Sequence, residues 1–191
     1  IVAYSSKNLN LPATLTATVE TGATVRVPVK WKCTTTFSKK IAGTYYYKGT
    51  LDEKYTLAKN VTIPKITVKV TKANTNVTGI ATSITKKARK SMYDTVFVYN
   101  GYGRTMKLQK WNGSKWVTKK SFKLKNAASQ KVKVTVTNDW WKVTSSKWRL
   151  YIPSNKGLKL FKSSTVKVKT KRYYQNPSKY IQIQDKIKIL E

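Results

Sequence analysis

Acid–base, nucleophilic and metal chemistry draw on a short menu of side chains, and this chain holds little of it. It contains no histidine, which removes imidazole bases, imidazole metal ligands and histidine pH switches. Its one cysteine, Cys33, forms no intrachain disulfide and no four-cysteine zinc site. Flanked by a strand-like run, Cys33 has the setting of a small buried apolar group rather than a nucleophile. The acidic residues are Glu20, Asp52, Glu53, Asp94, Asp139, Asp185 and Glu191. A glycosidase sets two carboxylates across a cleft, whereas Asp52 and Glu53 are sequence neighbours whose side chains point apart in extended chain. No run of alternating acidic residues around a glycine offers a calcium loop. Gly101-Tyr102-Gly103 has two glycines of a phosphate-cradling loop but lacks the third glycine and the helix start. It reads as a connection between strands. The chain is accordingly read as non-enzymatic, with no cofactor and no metal site.

Binding chemistry is better supplied. There are 39 Lys+Arg against 7 Asp+Glu, a formal charge of +32. Such a field draws polyanions, whether nucleic acid, an anionic lipid surface or a phosphate-bearing wall polymer. The arginines are Arg26, Arg89, Arg104, Arg149 and Arg172, and every other cation is lysine. Lysine is a hydrated point charge without the planar fork that reads a guanine edge. A lysine surface therefore suits diffuse, salt-sensitive attraction better than base-specific recognition. Aromatic side chains beside lysines add stacking surfaces for sugar rings or unpaired bases. On these grounds the candidate contact residues are Tyr102, Arg104, Trp111, Lys115, Trp140, Trp141, Tyr173 and Tyr174. In the pair Trp140-Trp141 one ring faces in and the other out, because neighbours on a strand alternate.

The elements that must position these residues are strands. Side-chain polarity repeats every two residues almost throughout, and no segment sustains a helical period. Residues 14–20, 24–31, 43–51 and 61–70 read as four strands. Pro28 and Pro64 fall inside two of them, which predicts edge or bulged strands there. The polar stretch 71–77 is the expected domain break. Beyond it, residues 77–84, 92–100, 105–111, 115–124, 131–138, 148–153 and 164–170 read as seven short strands of a sandwich. Asn112-Gly113 predicts a two-residue type I′ hairpin turn. That turn sets Leu108 opposite Val117 and Gln109 opposite Trp116, with Met106, Leu108 and Val117 facing a core. The fold class is thus all-β, two tandem antiparallel immunoglobulin-like sandwiches. Their expected extents are 1–72 and 73–172, with 173–191 as a linker or strand leading onward.

Leu11-Pro12, Val27-Pro28-Val29 with Trp31, and Gly43-Thr44-Tyr45 with Gly49 stand in an order that resembles a bacterial immunoglobulin-like domain of group 4, over residues 8–70. KLQKWNGSKWVTKKSF, followed by WRLYIPSN, is similar to β-sandwich modules of secreted wall proteins in Gram-positive bacteria. The tail RYYQNPSKYIQIQDKIKILE resembles connectors that precede peptidoglycan-binding or L,D-transpeptidase domains in Firmicutes. These resemblances imply a non-catalytic spacer or adhesive region, extracellular, at the cell wall or cell surface. No run approaches the roughly 18 apolar residues of a spanning helix. The chain begins at Ile1 without a methionine and reads as a piece of a longer protein, so a missing signal peptide says nothing about location. The expected role is a monomer that holds a neighbouring domain near the wall by lysine attraction to teichoic acid and peptidoglycan. Non-specific nucleic-acid binding, and carbohydrate binding or adhesion through exposed Trp and Tyr, are the alternatives.

Overall fold

A computed structural model describes residues 1–87, 92–136 and 145–171. Among them there are strands and no helix, and no helix is long and apolar enough to cross a membrane. The chain divides into two compact units. The first is Ile1–Asn74 with Ser154–Lys159, and the second takes the rest of the described chain.

The first unit is a four-stranded antiparallel meander of β1 (Thr14–Thr18), β2 (Thr24–Cys33), β3 (Gly43–Leu51) and β4 (Ile66–Val70), in that order. Alternation sends Tyr45, Tyr47, Val68 and Val70 inward while Tyr46 stays half exposed. Against this face lie Ala3, Leu9, Leu11 and Phe37, so irregular chain supplies the opposing layer. Phe37 meets Tyr45 edge to face at 5.0 Å, a favoured arrangement of ring quadrupoles. The Trp31 indole donates to Pro12 O at 2.7 Å. Opposite it stands Gly49, where a Cβ would come within 2.8 Å of Val29 and 2.7 Å of Ile63. Burial raises the Tyr47 phenol above its usual range, and the neighbouring Cys33 thiol adds to the rise.

Pro28 departs from the expectation of an edge or bulged strand, whereas the strand that follows Pro64 is an edge, as expected. Pro28 lies in β2, which has neighbours on both sides. The Val29 N–H donates to Ala13 O, so the nitrogen of Pro28 points the other way, towards β3. The β2–β3 ladder begins only at Val29 opposite Leu51, and no hydrogen bond is lost. Pro64 precedes β4, which starts at Ile66. The run 61–70 is therefore strand only in its second half.

The second unit sets two sheets face to face. The smaller holds β5 (Asn76–Thr78), β7 (Met92–Tyr99) and β10 (Ser129–Val136), in the order β10-β7-β5. The larger holds β6 (Ser83–Lys87), β8 (Thr105–Trp111), β9 (Trp116–Lys123), β11 (Ser145–Ile152) and β13 (Val166–Lys171), in the order β6-β13-β11-β8-β9. A short β12 (Phe161–Lys162) pairs with β11. Val96, Val98 and Val134 of the smaller sheet meet Met106, Leu108, Trp148, Leu150 and Val168 of the larger in one core. The sheets are antiparallel except where β13 runs parallel to β6. That exception needs a long crossover, which sequence period alone does not announce.

The β8–β9 hairpin turns differently from the type I′ expectation. Trp111 pairs with Trp116, leaving residues 112–115 as a four-residue loop. Asn112 Oδ1 accepts from the N–H groups of Ser114 and Lys115, and Gly113 takes φ 107°. The asparagine side chain thus organises a wider turn than Asn-Gly alone suggests. Leu108 faces Lys120 instead of Val117, Gln109 faces Thr118 instead of Trp116, and the register slips between Leu108 and Gln109. Met106 and Leu108 are buried as expected, while Val117 is half-buried opposite Lys110.

Ser154–Lys159 joins the first unit although the sequence places it within the second sandwich. Ala73 N–H donates to Gly157 O, Lys159 N–H to Ala73 O, and Ala42 N–H to Lys156 O. Leu158 is fully buried. Gly157 sits so close to Lys40 that an added Cβ would lie 2.0 Å from its carbonyl oxygen. Gly157→Ala in the whole chain is expected to destabilise the first unit by about 2 kcal/mol or more, read as a lower urea midpoint. An unchanged midpoint would show that the segment does not hold this unit together.

Candidate functional site

The larger sheet of the second unit turns one face to its core and the other outward. Register fixes which residues share the outer face. Lys167 pairs with Lys147 and Lys169 with Ser145, Gln109 with Arg149 and Lys107 with Tyr151, and Lys162 also with Tyr151. β6, β8, β9, β11, β12 and β13 contain no acidic residue. Alternation along β13 is complete, with Val166, Val168 and Thr170 buried and Lys167, Lys169 and Lys171 exposed. Lysines two residues apart on one strand stand about 6.6 Å from each other. The result is a cationic ribbed surface with no acidic residue on its own strands.

One row on this face is hydrogen-bonded across three strands. Arg149 Nε–H donates to Gln109 Oε1 at 2.8 Å, and Gln109 Nε2–H donates to Thr118 Oγ1 at 3.4 Å. The guanidinium carbon lies 4.5 Å from the centre of the Trp116 ring and 5.9 Å from that of Tyr151. Trp116 in turn meets Trp111 with ring centres 5.5 Å apart. Stacking and the Gln109 bond fix a side chain that is otherwise floppy.

The anticipated contact residues scatter. Trp111 borders this row, half-buried, through its pairing with Trp116. Lys115 is exposed in the adjoining loop. Tyr102 is half-buried in the β7–β8 connection with φ 39°. Arg104 is no surface contact, because it is 8% exposed and its donors face inward. Its Nε donates to Gly101 O at 3.1 Å, Nη1 to Pro153 O at 3.0 Å, and Nη2 to Asn100 O at 2.6 Å and to Thr75 Oγ1. That network fastens the turn in which Asn100, Tyr102 and Gly103 all take positive φ. Trp140, Trp141, Tyr173 and Tyr174 lie outside the described residues.

Sequence reasoning missed Gln109, Trp116, Arg149 and Tyr151 as a group. The period of two in WRLYI does place Arg149 and Tyr151 on one face. Their meeting with Gln109 and Trp116 depends on β11–β8 pairing and on the hairpin slip, which no local pattern encodes.

Two other features bear on function. On the middle strand of the smaller sheet, Phe97 and Tyr99 are 45% and 43% exposed, with Lys131 Nζ 5.8 Å from the Phe97 ring centre. A cleft of about 330 Å³ is lined by Val77, Ile80, Phe161 and Val166 together with Thr82, Ser163 and Thr165. No carboxylate lines it, so the paired acids of a glycosidase are missing there. Among the described residues no three of His, Cys, Asp and Glu gather where a metal ion would sit.

Residues 2–55 match the family described as Bacterial Ig-like domain (group 4). The match lies within the first unit and ends before β4. Among curated proteins, none matches the chain. An immunoglobulin-like first unit agrees with the resemblance drawn from Leu11-Pro12, Trp31 and Gly43-Thr44-Tyr45, and domains of this family are typically non-catalytic.

Arg104→Ala leaves buried oxygens without donors and a void, an expected loss of about 3 kcal/mol. Retention of the folded variant on a polyanion resin is expected to match that of the parent. Normal stability with weakened retention would return Arg104 to the contact surface.

Proposed function

We propose that this chain is a non-catalytic binding and spacing region of a secreted bacterial surface protein. It holds a neighbouring domain near the cell wall through lysine attraction to anionic wall polymers. The observation that carries this reading is the outer face of the larger sheet, where exposed Lys147, Lys162, Lys167 and Lys169 stand on paired strands free of acidic residues. A flat array of separate ammonium groups suits a flexible polyanion, which settles onto many weak sites, each screened by salt. The immunoglobulin-like match supports the setting, since such domains are often found in extracellular proteins.

A second reading, carbohydrate binding, is favoured by Phe97 and Tyr99. Their rings stand two residues apart on a central strand, so both project from one face and offer a platform for sugar rings.

Salt separates the two. The protein is expected to sediment with purified walls, and retention should fall steeply between about 50 and 200 mM salt. Replacing Lys167, Lys169 and Lys171 together with Gln should flatten the log–log salt slope by roughly two units. Equal sedimentation with walls stripped of teichoic acid would overturn the electrostatic reading. In about 1 M salt, where charges are screened within about 3 Å, any remaining binding to stripped peptidoglycan should vanish in Phe97→Ala with Tyr99→Ala. Absence of such binding in the parent protein would remove the glycan reading.

A further inference from the structure

Arg149 differs from the lysines around it in being held. One donor, Nε–H, is committed to Gln109 Oε1, and one flat side rests on the Trp116 indole. Among the described residues nothing bonds its two Nη groups. Arg149 is half-buried, and a guanidinium with its plane fixed and both terminal nitrogens unused keeps two parallel N–H donors for a ligand. That geometry matches two oxygens of one tetrahedral or planar oxyanion.

The neighbourhood says which anion. Lys147 precedes Arg149 by two residues on the same strand, and Lys107 is diagonal to it across the β8–β11 pair. No carboxylate occurs on these strands to satisfy the cluster from within. A lone carboxylate ligand would neutralise one of these charges. A chain of phosphodiesters would meet Arg149 with one phosphate and the flanking lysines with the next. The rings of Trp111, Trp116 and Tyr151 beside Arg149 would face the carbon-rich units between the phosphates.

We propose that Arg149, clamped by Gln109 and Trp116, is a single-phosphate subsite for a phosphodiester-linked polyol or sugar polymer. It is an ordered grip on an otherwise diffuse lysine face. This rests on the electrostatic reading given above and adds a stereochemically defined contact to it. Clamping supplies the reason: the entropy of fixing the guanidinium is already spent in the free protein, so two hydrogen bonds form at little further cost.

The test titrates the whole chain with a defined oligo(glycerol phosphate) and, separately, with an oligoglutamate of equal charge. Arg149→Lys keeps the charge and removes the fork. It is expected to weaken the phosphodiester oligomer about tenfold, the scale of one lost charge-assisted hydrogen bond, with the salt slope unchanged and oligoglutamate binding little affected. Gln109→Met leaves Arg149 in place with only the Trp116 half of its clamp and should weaken the same oligomer several-fold. Lys167→Gln with Lys169→Gln should instead lower both titrations and flatten both salt slopes. If Arg149→Lys binds the oligomer like the parent while the lysine pair weakens it, the subsite is wrong and the diffuse reading stands. Equal losses on phosphodiester and carboxylate oligomers overturn the phosphate assignment. Failure of the parent protein to bind the oligomer at all overturns both readings.

Discussion

In β13 the side chains run valine, lysine, valine, lysine, threonine, lysine, and their burial follows the same beat. A pleated strand sends successive side chains to opposite faces, so every lysine is solvated on the condition that its neighbour is buried. The same beat runs along β11, where Ser146, Trp148, Leu150 and Ile152 are buried, while on the edge strand β9 it lapses and Lys119 and Lys120 are both exposed. A chain with formal charge +32 repels itself when compact, and burying unpaired ammonium groups would add a prohibitive desolvation cost. Strict alternation resolves the conflict. Met106, Leu108, Trp148, Leu150 and Val168 close the core of the second unit while Lys147, Lys167 and Lys169 face water. The ribbed cationic surface is therefore the other side of the packing that makes the core.

Two arginines mark the limits of that rule. Arg104 lies buried among carbonyl oxygens of Asn100, Gly101 and Pro153, to which its fixed donors are committed. Arg149 stays at the surface, with one donor on Gln109 and its plane on Trp116. The residue type is the same and the outcome opposite. One guanidinium is consumed by the fold; the other is oriented by it and left with donors to give. A lysine serves neither role well, since an ammonium lacks both the fork and the flat face.

The family that residues 2–55 match is typically non-catalytic. The chain has no histidine, the cleft near Phe161 is lined by hydroxyls and no carboxylate, and the outer face of the larger sheet offers charge and aromatic rings. Recognition on such a face comes from many weak contacts, and salt sets its strength.

The sequence by itself determined the all-β class, the inward positions of Met106 and Leu108, and the strand-connecting role of Gly101-Tyr102-Gly103. These are local properties, carried by a period of two and by residues suited to turns. Tertiary structure decided the rest. The Asn112 side chain widened a predicted two-residue turn, and the hairpin partner of Gln109 is Thr118 instead of Trp116. Pro28 fits an inner strand because β3 ends before reaching its nitrogen. Ser154–Lys159 belongs to the first unit through bonds to Ala73 and Ala42, partners far away in sequence. The cluster of Arg149, Gln109, Trp116 and Tyr151 likewise exists only once β11 lies against β8 and β8 against β9. A strand's pattern says which face a side chain takes, but the register with a distant strand says whom it meets, and that is settled by packing.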